Sequence, residues 1–347
     1  MGSSDRGIRL RTAARTNTGQ VRENNEDHIH LWAEDDFALA IVADGMGGAA
    51  AGEEASQIAV DSVRAALETP QEHGDRDFLN AMSIEYIAQQ LCDAIRTANL
   101  RIVERASSNP ELRGMGTTVT MVFVRGTEAI FTHVGDSRAY LINGRDRFIT
   151  QITADHSFVE ALVAAGHITH EQAEEHPMRN VLYRALGQSD DIDVDVYETR
   201  LRPGDRLLLC SDGLTRHVKP HEIADVVLSD EEPELASEAL IDLANARGGE
   251  DNVSVIIILV EATDPERYRE QERAASIDDT LVLPESPIIE ALKLERSAQD
   301  DPEDTLKLDE IFNVRRASLP RDGQASESPT AAHRSHSGEG RDRLPNG

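Results

Sequence analysis

Three aspartates in this chain stand where apolar, strand-like runs meet glycine. FALAIVADGMGG runs into Asp44 and DRLLLCSDGL into Asp212, each followed at once by glycine; in GGEDNVSV a glycine pair precedes Glu250 and Asp251, ahead of the buried-strand run VSVIIILV. Taken singly, Asp-Gly is an ordinary turn dipeptide. Three carboxylates at strand ends, however, can converge, and converging carboxylates raise each other's pKa unless a cation neutralises them. No Cys or His accompanies these motifs as an evident ligand. An oxygen-only donor set favours Mg²⁺ or Mn²⁺ over zinc and leaves coordination positions to water. Water bridging two such ions is acidified and can attack phosphorus in line, while the metals neutralise charge on the transferring group. Upstream, VRENNED supplies Arg22, Glu26 and Asp27. A guanidinium suits bidentate phosphate binding, although a lone Arg in an acidic segment also reads as a surface ion pair.

The elements that must position these residues follow from periodicity. Strand-like runs are His28–Trp32, Phe37–Ala43, Thr117–Val124, Ala129–Val134, Ala139–Ile142, Val194–Glu198, Arg206–Cys210 and Val253–Val260. Helical patterns fill Ala51–Leu67 and Ile84–Glu104, with shorter ones at Phe158–Ala165, His221–Leu228 and Glu234–Ala246. Long helices flanking antiparallel strands imply an α/β-sandwich. Between Ser157 and Arg184 one helix should end at Gly166, and Thr169 should open a second with Gln172 at capping-box spacing, stopped by Pro177. This segment reads either as an inserted flap, at about residues 157–184, or as a connecting helical hairpin.

Composition narrows the class. The 347 residues, 39% hydrophobic, suffice for one large core or two modest domains. Cys92 and Cys210 are too few for a disulfide framework or a thiolate zinc site, so the expected compartment is the reducing cytoplasm. No apolar run of membrane-spanning length occurs, and MGSSDRGIRL carries neither a signal-peptide nor a myristoylation pattern; no membrane association is expected. The net charge of −29 argues against nucleic-acid binding. Residues 262–347 hold 12 Lys+Arg against 19 Asp+Glu, leaving −22 for the remainder, so the acidity is not confined to the tail. Carboxylates gathered around divalent cations would leave such a deficit, as would simple surface solubility.

The strings TNTGQVRENNED, VADGMGG, GMGTTVT, VGDSRAYLI, ITADHS, NVLYRALG, LLLCSDGL and GGEDNVSV, in this order across residues 8–261, resemble the metal-dependent protein phosphatases of the protein phosphatase 2C type, particularly bacterial ones. The resemblance implies an α+β fold, a four-layer α/β/β/α sandwich of two stacked antiparallel sheets flanked by helix pairs. It also implies hydrolysis of phosphoserine and phosphothreonine in proteins at a dinuclear Mg²⁺/Mn²⁺ site, in a monomer. By motif matching, Asp44 resembles the bridging ligand, Gly45 a backbone-carbonyl ligand, and Asp212 and Asp251 the carboxylates completing the first metal's shell. Glu26 would act through water. Asp136, in VGDSRAYLI, matches the residue that with Asp212 holds a weaker third metal near the flap; its alternative reading is a hairpin aspartate. Arg22 matches the phosphate-binding arginine, with Asp27 supporting the ligands from behind and Asn252 orienting its neighbour Asp251. Met46 stands where many eukaryotic members carry a histidine proposed to protonate the leaving group, and a thioether cannot donate a proton. His156 and the flap histidines His167, His170 and His176 are conceivable donors, though solvated flap histidines are the simpler reading.

Other classes fit less well. GMGGAA loosely suggests a dinucleotide fingerprint, but Asp44 would face the pyrophosphate and no second strand ends in an acid about 20 residues on. A two-metal nuclease shares the chemistry but not the charge. A catalytically dead phosphoprotein-binding regulator would be expected to lack one of Asp44, Asp212 or Asp251. The acidic, low-complexity tail from residue 262 is expected to be disordered. It contains DDTLVL and EDTLKL, whose Thr280 and Thr305, once phosphorylated, would suit a forkhead-associated domain. With Arg315-Arg316-Ala317-Ser318, a basophilic kinase-type site, they point to a phosphatase working beside a serine/threonine kinase.

Overall fold

The computed structural model describes residues 7–67, 82–230, 232–264, 266, 268 and 315–316. Thr280, Thr305 and Ser318 lie outside the described residues. Among the described residues twelve strands form two sheets, with every pairing antiparallel. The first, of order β1-β11-β10-β7-β8, comprises β1 (Ile8–Asn17), β7 (Arg138–Ile142), β8 (Ile149–Gln151), β10 (Arg206–Cys210) and β11 (Val253–Ala262). The second, of order β12-β9-β6-β5-β3-β2, comprises β2 (Asp27–Glu34), β3 (Phe37–Met46), β5 (Val119–Arg125), β6 (Glu128–Val134), β9 (Asp195–Arg200) and the two-residue β12 (Arg315–Arg316). β4 (Gly116–Thr117) pairs with the end of β3.

The sheets stack because alternate residues of their strands are apolar toward each other. Ala38, Ala40 and Val42 of β3, Val122 and Val124 of β5 and Phe131 of β6 meet Leu207 and Leu209 of β10 and Ile256, Ile258 and Val260 of β11 in one buried cluster. The opposite face of β10 and β11 (Leu208, Val255, Ile257) packs on Ile223 and Val227 of α6 (Pro220–Ser229) and Leu240, Ile241 and Ala244 of α7 (Pro233–Ala246). On the other side, α1 (Ala49–Leu67) packs on β3 and against α2 (Ile84–Ser108). Both faces of each sheet are covered, which is why β3, β5 and β11 read as continuous apolar runs rather than alternating ones. The four-layer α/β/β/α order is the one the resemblance implies.

The structure differs from the periodicity reading in the short strands β4, β8 and β12, which that reading lacks, and in three places that bear on the site. β1 was absent from that reading: arginines at 9, 11 and 15 interrupt its apolar residues, and its order comes from pairing along ten residues with β11. β3 does not stop at Asp44, because Gly45 and Met46 continue it by pairing with Thr117 and Gly116. Asp212 is not a strand residue but the first residue of a four-residue helix, α5 (Asp212–Thr215), with Ser211 between it and β10.

Between Ser157 and Arg184 lie α3 (Phe158–Ala164) and α4 (His170–Glu174). Gly166 follows the first with φ of 70°, a left-handed helix stop, and the Thr169–Gln172 capping box forms in both directions. A Ser157–Leu182 bridge closes the segment at its base.

Candidate metal centre

The candidate residues meet where the ends of both sheets come together. Asp27 opens β2 and is the register partner of Asp44 in β3, so two carboxylates lie on adjacent strands at one rung. The Asp44 N–H donates to Thr118 Oγ1 at 3.0 Å, and the Asp44 carbonyl accepts from Thr118 N at 2.9 Å and Thr117 Oγ1 at 2.8 Å. Thr118 Oγ1 is also 2.7 Å from Ser137 Oγ, tying Asp44 to the β6–β7 turn that carries Asp136. That turn needs glycine at 135, whose φ is 119° and where a Cβ would lie 2.6 Å from Thr118 Cβ.

The other sheet supplies the supporting hydroxyls. Ser211 Oγ donates to Asp27 Oδ2 at 2.8 Å and Ser254 Oγ at 2.6 Å, while Asp27 Oδ1 is buried without a hydrogen-bond partner. Asn252 holds three segments together. Its Oδ1 accepts from Glu26 N at 2.8 Å, and its Nδ2 donates to the carbonyls of Thr18 and Asn24, both at 2.9 Å. Its own N–H donates to Asp251 Oδ1 at 3.0 Å.

Gly45 sits in a space with no room for a side chain: a Cβ would overlap the Gly52 carbonyl and come within 2.6 Å of the Glu26 carbonyl. Gly52, in the first turns of α1, likewise leaves room for the Glu26 carboxylate.

The electrostatics match what crowded acids require. Burial first, then the carboxylates of Asp27, Asp212, Asp136 and Asp251, push Asp44 well above the usual carboxylate range. Burial raises Asp27 to about 7 against the opposing hydroxyls of Ser254 and Ser211, and raises Asp136 to about 8 with the help of Asp212 and Asp155. Asp212 is raised by burial and by Asp251, with Arg216 opposing. Glu26 is raised by burial, against Arg22. Each shift marks a carboxylate whose charge lacks compensation, the condition a divalent cation relieves.

Two arginines enter the cluster. Arg22 donates to Asp251 Oδ2 at 3.0 Å and lies 3.8 Å from Glu26 Oε1, so it is an ion-pair residue and a neighbour of the acid cluster at once. Arg216 donates from Nη1 to the same Asp251 oxygen at 2.9 Å and from Nη2 to Asp212 Oδ2. Sequence reasoning missed Arg216; its signal is the four-residue spacing from Asp212 in DGLTR, one helical turn. It also missed Ser211 and Ser254, whose signal is a serine inside an otherwise apolar strand run.

The donor set fits a hard divalent ion. The acids are oxygen donors, and both Asp27 Oδ1 and Asp212 Oδ1 are buried with no hydrogen-bond partner. Yet among the described residues no three acidic, histidine or cysteine side chains already form a coordination group. Arg216, between Asp212 and Asp251, takes up carboxylate oxygens that such a group would use.

The conceivable proton donors are placed elsewhere. His156 is not a solvated flap residue but a buried one. Its Nδ1 accepts from Gly135 N at 3.0 Å, which leaves the ring proton on Nε2, 3.3 Å from Asp195 Oδ2. Arg184 donates to the other Asp195 oxygen at 2.7 Å, and Tyr183 N to the His156 carbonyl at 2.9 Å, so this network fastens both ends of the 157–184 segment. His167 and His170 are exposed, and His176 Nδ1 accepts from Met178 N.

A double antiparallel sandwich with acids and an arginine at the joint mouth of its sheets defines a class of metal-centre fold, and comparison with known proteins agrees. The family model for protein phosphatase 2C matches residues 17–243. The serine/threonine protein phosphatase PstP of Mycobacterium tuberculosis is 39% identical over 281 residues, 79% of this chain and 50% of that protein. The chain thus spans about half the length of that relative. The serine/threonine phosphatase stp of Listeria welshimeri is 36% identical over 245 residues, 70% of this chain and 93% of that one. The crystal structure of the catalytic domain of PstP in complex with 2 manganese ions superposes with a TM-score of 0.61 at 36% identity, over 73% of this chain and 99% of that one. The chain belongs to the protein phosphatase 2C family.

Proposed function

We propose that this chain is a metal-dependent protein serine/threonine phosphatase, with Asp44, Asp212 and Asp251 as core metal ligands. The observation that carries the reading is the set of carboxylates at the joint mouth of the sheets: burial and neighbouring charge raise Asp27, Asp44, Asp136 and Asp212, an oxygen of Asp27 and one of Asp212 are orphaned in the interior, and Asp251 is paired with Arg22. Asp44 and the Gly45 carbonyl would bridge and complete a two-ion site, Glu26 would act through water, and Asp136 with Asp212 would hold a weaker third ion. Mg²⁺ or Mn²⁺ bound there supplies Lewis acidity, neutralising phosphoryl charge and acidifying water. The manganese ions of the PstP catalytic-domain structure support the choice of metal.

The chain's own groups do the rest. Arg22, exposed and anchored only through its acid partners, is free to turn its guanidinium fork onto two phosphate oxygens and so set the phosphorus in line. Asp27 lies behind Asp44, oriented by Ser211 and Ser254, and Asn252 fixes the 18–26 loop so that Arg22 and Glu26 face the cluster. The ring nitrogens of His156 are taken up by Gly135 and Asp195, and protonation of the seryl or threonyl oxygen is assigned to water. The expected partners are phosphoproteins in the cytoplasm, the phosphorylation being the work of a serine/threonine kinase. The motifs at Thr280 and Thr305 support a forkhead-associated-domain partner once phosphorylated, and titration of that phosphopeptide against such a domain tests it.

The test of the activity is Mn²⁺-dependent hydrolysis of p-nitrophenyl phosphate and of a phosphothreonine peptide. Turnover should require Mn²⁺, stop with chelator and be lost in Asp212→Asn. An intact protein that turns over neither substrate would refute the assignment.

A further inference from the structure

Arg216 is out of place for a simple metal site. It follows Asp212 by one helical turn at the end of α5, so its side chain rises on the same face as the carboxylate it accompanies. From there one guanidinium spans two segments that are far apart in sequence, bonding Asp212 after β10 and Asp251 before β11. Arg22, arriving from a third segment, donates to the same Asp251 oxygen. A planar fork of five N–H donors is the side chain best suited to stand in for a cation among carboxylates.

We propose that Arg216 is an internal counter-ion of the carboxylate cluster: it holds Asp212 and Asp251 together in the metal-free chain, and a divalent cation must displace it from them in order to bind. The inference rests on the reading of Asp212 and Asp251 as metal ligands and adds to it a device that sets metal affinity. The guanidinium holds Oδ2 of both acids, so an ion that draws on those oxygens, or on the charge of the same two carboxylates, would compete with it. Apparent metal affinity then scales with the fraction of molecules in which the guanidinium is unseated. The same contact should let the chain fold without metal, because the acids are not left bare.

The test measures metal binding rather than turnover. Free Mn²⁺ is followed by its electron paramagnetic resonance signal during titration of the intact chain, Arg216→Ala, Arg216→Lys and Asp212→Asn, and thermal unfolding of each is recorded in chelator. Arg216→Ala should bind Mn²⁺ about tenfold more tightly than the intact chain and melt at a lower temperature in chelator. Arg216→Lys, keeping charge without the fork, should fall between the two; it carries the comparison if the alanine variant does not fold. Unchanged or weakened Mn²⁺ affinity in both Arg216 variants, with binding lost in Asp212→Asn, would overturn the counter-ion role and leave the metal site standing. An intact chain that binds no Mn²⁺ would overturn both.

Discussion

Ser254 of β11 donates its hydroxyl to Asp27 of β2 at 2.6 Å, a hydrogen bond that joins one sheet to the other directly behind the acid cluster. Ser254 Oγ also lies 2.8 Å from Thr16 Oγ1, so its removal breaks more than one contact. Ser254→Ala should cost about 1–3 kcal/mol of stability, since a buried carboxylate loses a donor, and should weaken Mn²⁺ binding. Denaturant unfolding and Mn²⁺ titration check the two effects separately.

Asn252→Ala removes the clamp on the loop carrying Arg22 and Glu26. The Glu26 N–H and the carbonyls of Thr18 and Asn24 lose their partner together. Steady-state kinetics should show kcat/KM for a phosphopeptide falling by roughly ten- to a hundredfold, with part of the loss in KM, because Arg22, proposed to bind the phosphate, is no longer held.

Gly45→Ala places a Cβ against two backbone carbonyls, one of them the Glu26 oxygen at 2.6 Å. Neither can move as a flexible side chain would. The variant should lose about 3 kcal/mol of stability, whereas Gly48→Ala meets no atom and is limited by backbone conformation alone, with φ of 96° there. Melting temperatures in the same buffer compare the two.

The pH dependence of the metal-free protein follows from the raised carboxylates. Asp27 and Asp136 move from an ordinary 3.8 to about 7 and about 8 in the folded chain. The folded state therefore holds more protons than the unfolded one between about pH 4 and 8, and stability must fall as pH rises through that window. Buried His133, lowered to about 3, and His28, also lowered by burial, act oppositely below pH 6.5, against Asp27, Asp44, Asp136 and Asp212. In chelator the melting temperature should drop from pH 5 to pH 8, less steeply in Asp136→Asn, and saturating Mn²⁺ should remove most of the slope.

Much of this was legible in the sequence because the acids are punctuation marks on strongly apolar strands. FALAIVAD, DRLLLCSD and EDNVSVIIILV announce both the buried sheet faces and the carboxylates beside them. β1 was not legible, since its apolar residues are interrupted by Arg9, Arg11 and Arg15 and it acquires strand order only from β11, some 240 residues away. Residues that act across segments were hidden for the same reason. Ser254 looks like an interruption in an apolar strand until Asp27 is placed beside it, and Arg216 looks like a surface residue until Asp251 arrives from the neighbouring loop. That His156 is enclosed by Gly135 and Asp195 was not legible either, because nothing local in the sequence brings those residues to it.

The most direct measurement is phosphate release from a phosphothreonine peptide by the full chain, with Mn²⁺, with chelator, and in Asp44→Asn. Release that depends on Mn²⁺ and is lost in both controls is the predicted result. Release that persists in chelator or in Asp44→Asn, or no release at all, would contradict a metal-dependent phosphatase centred on Asp44, Asp212 and Asp251.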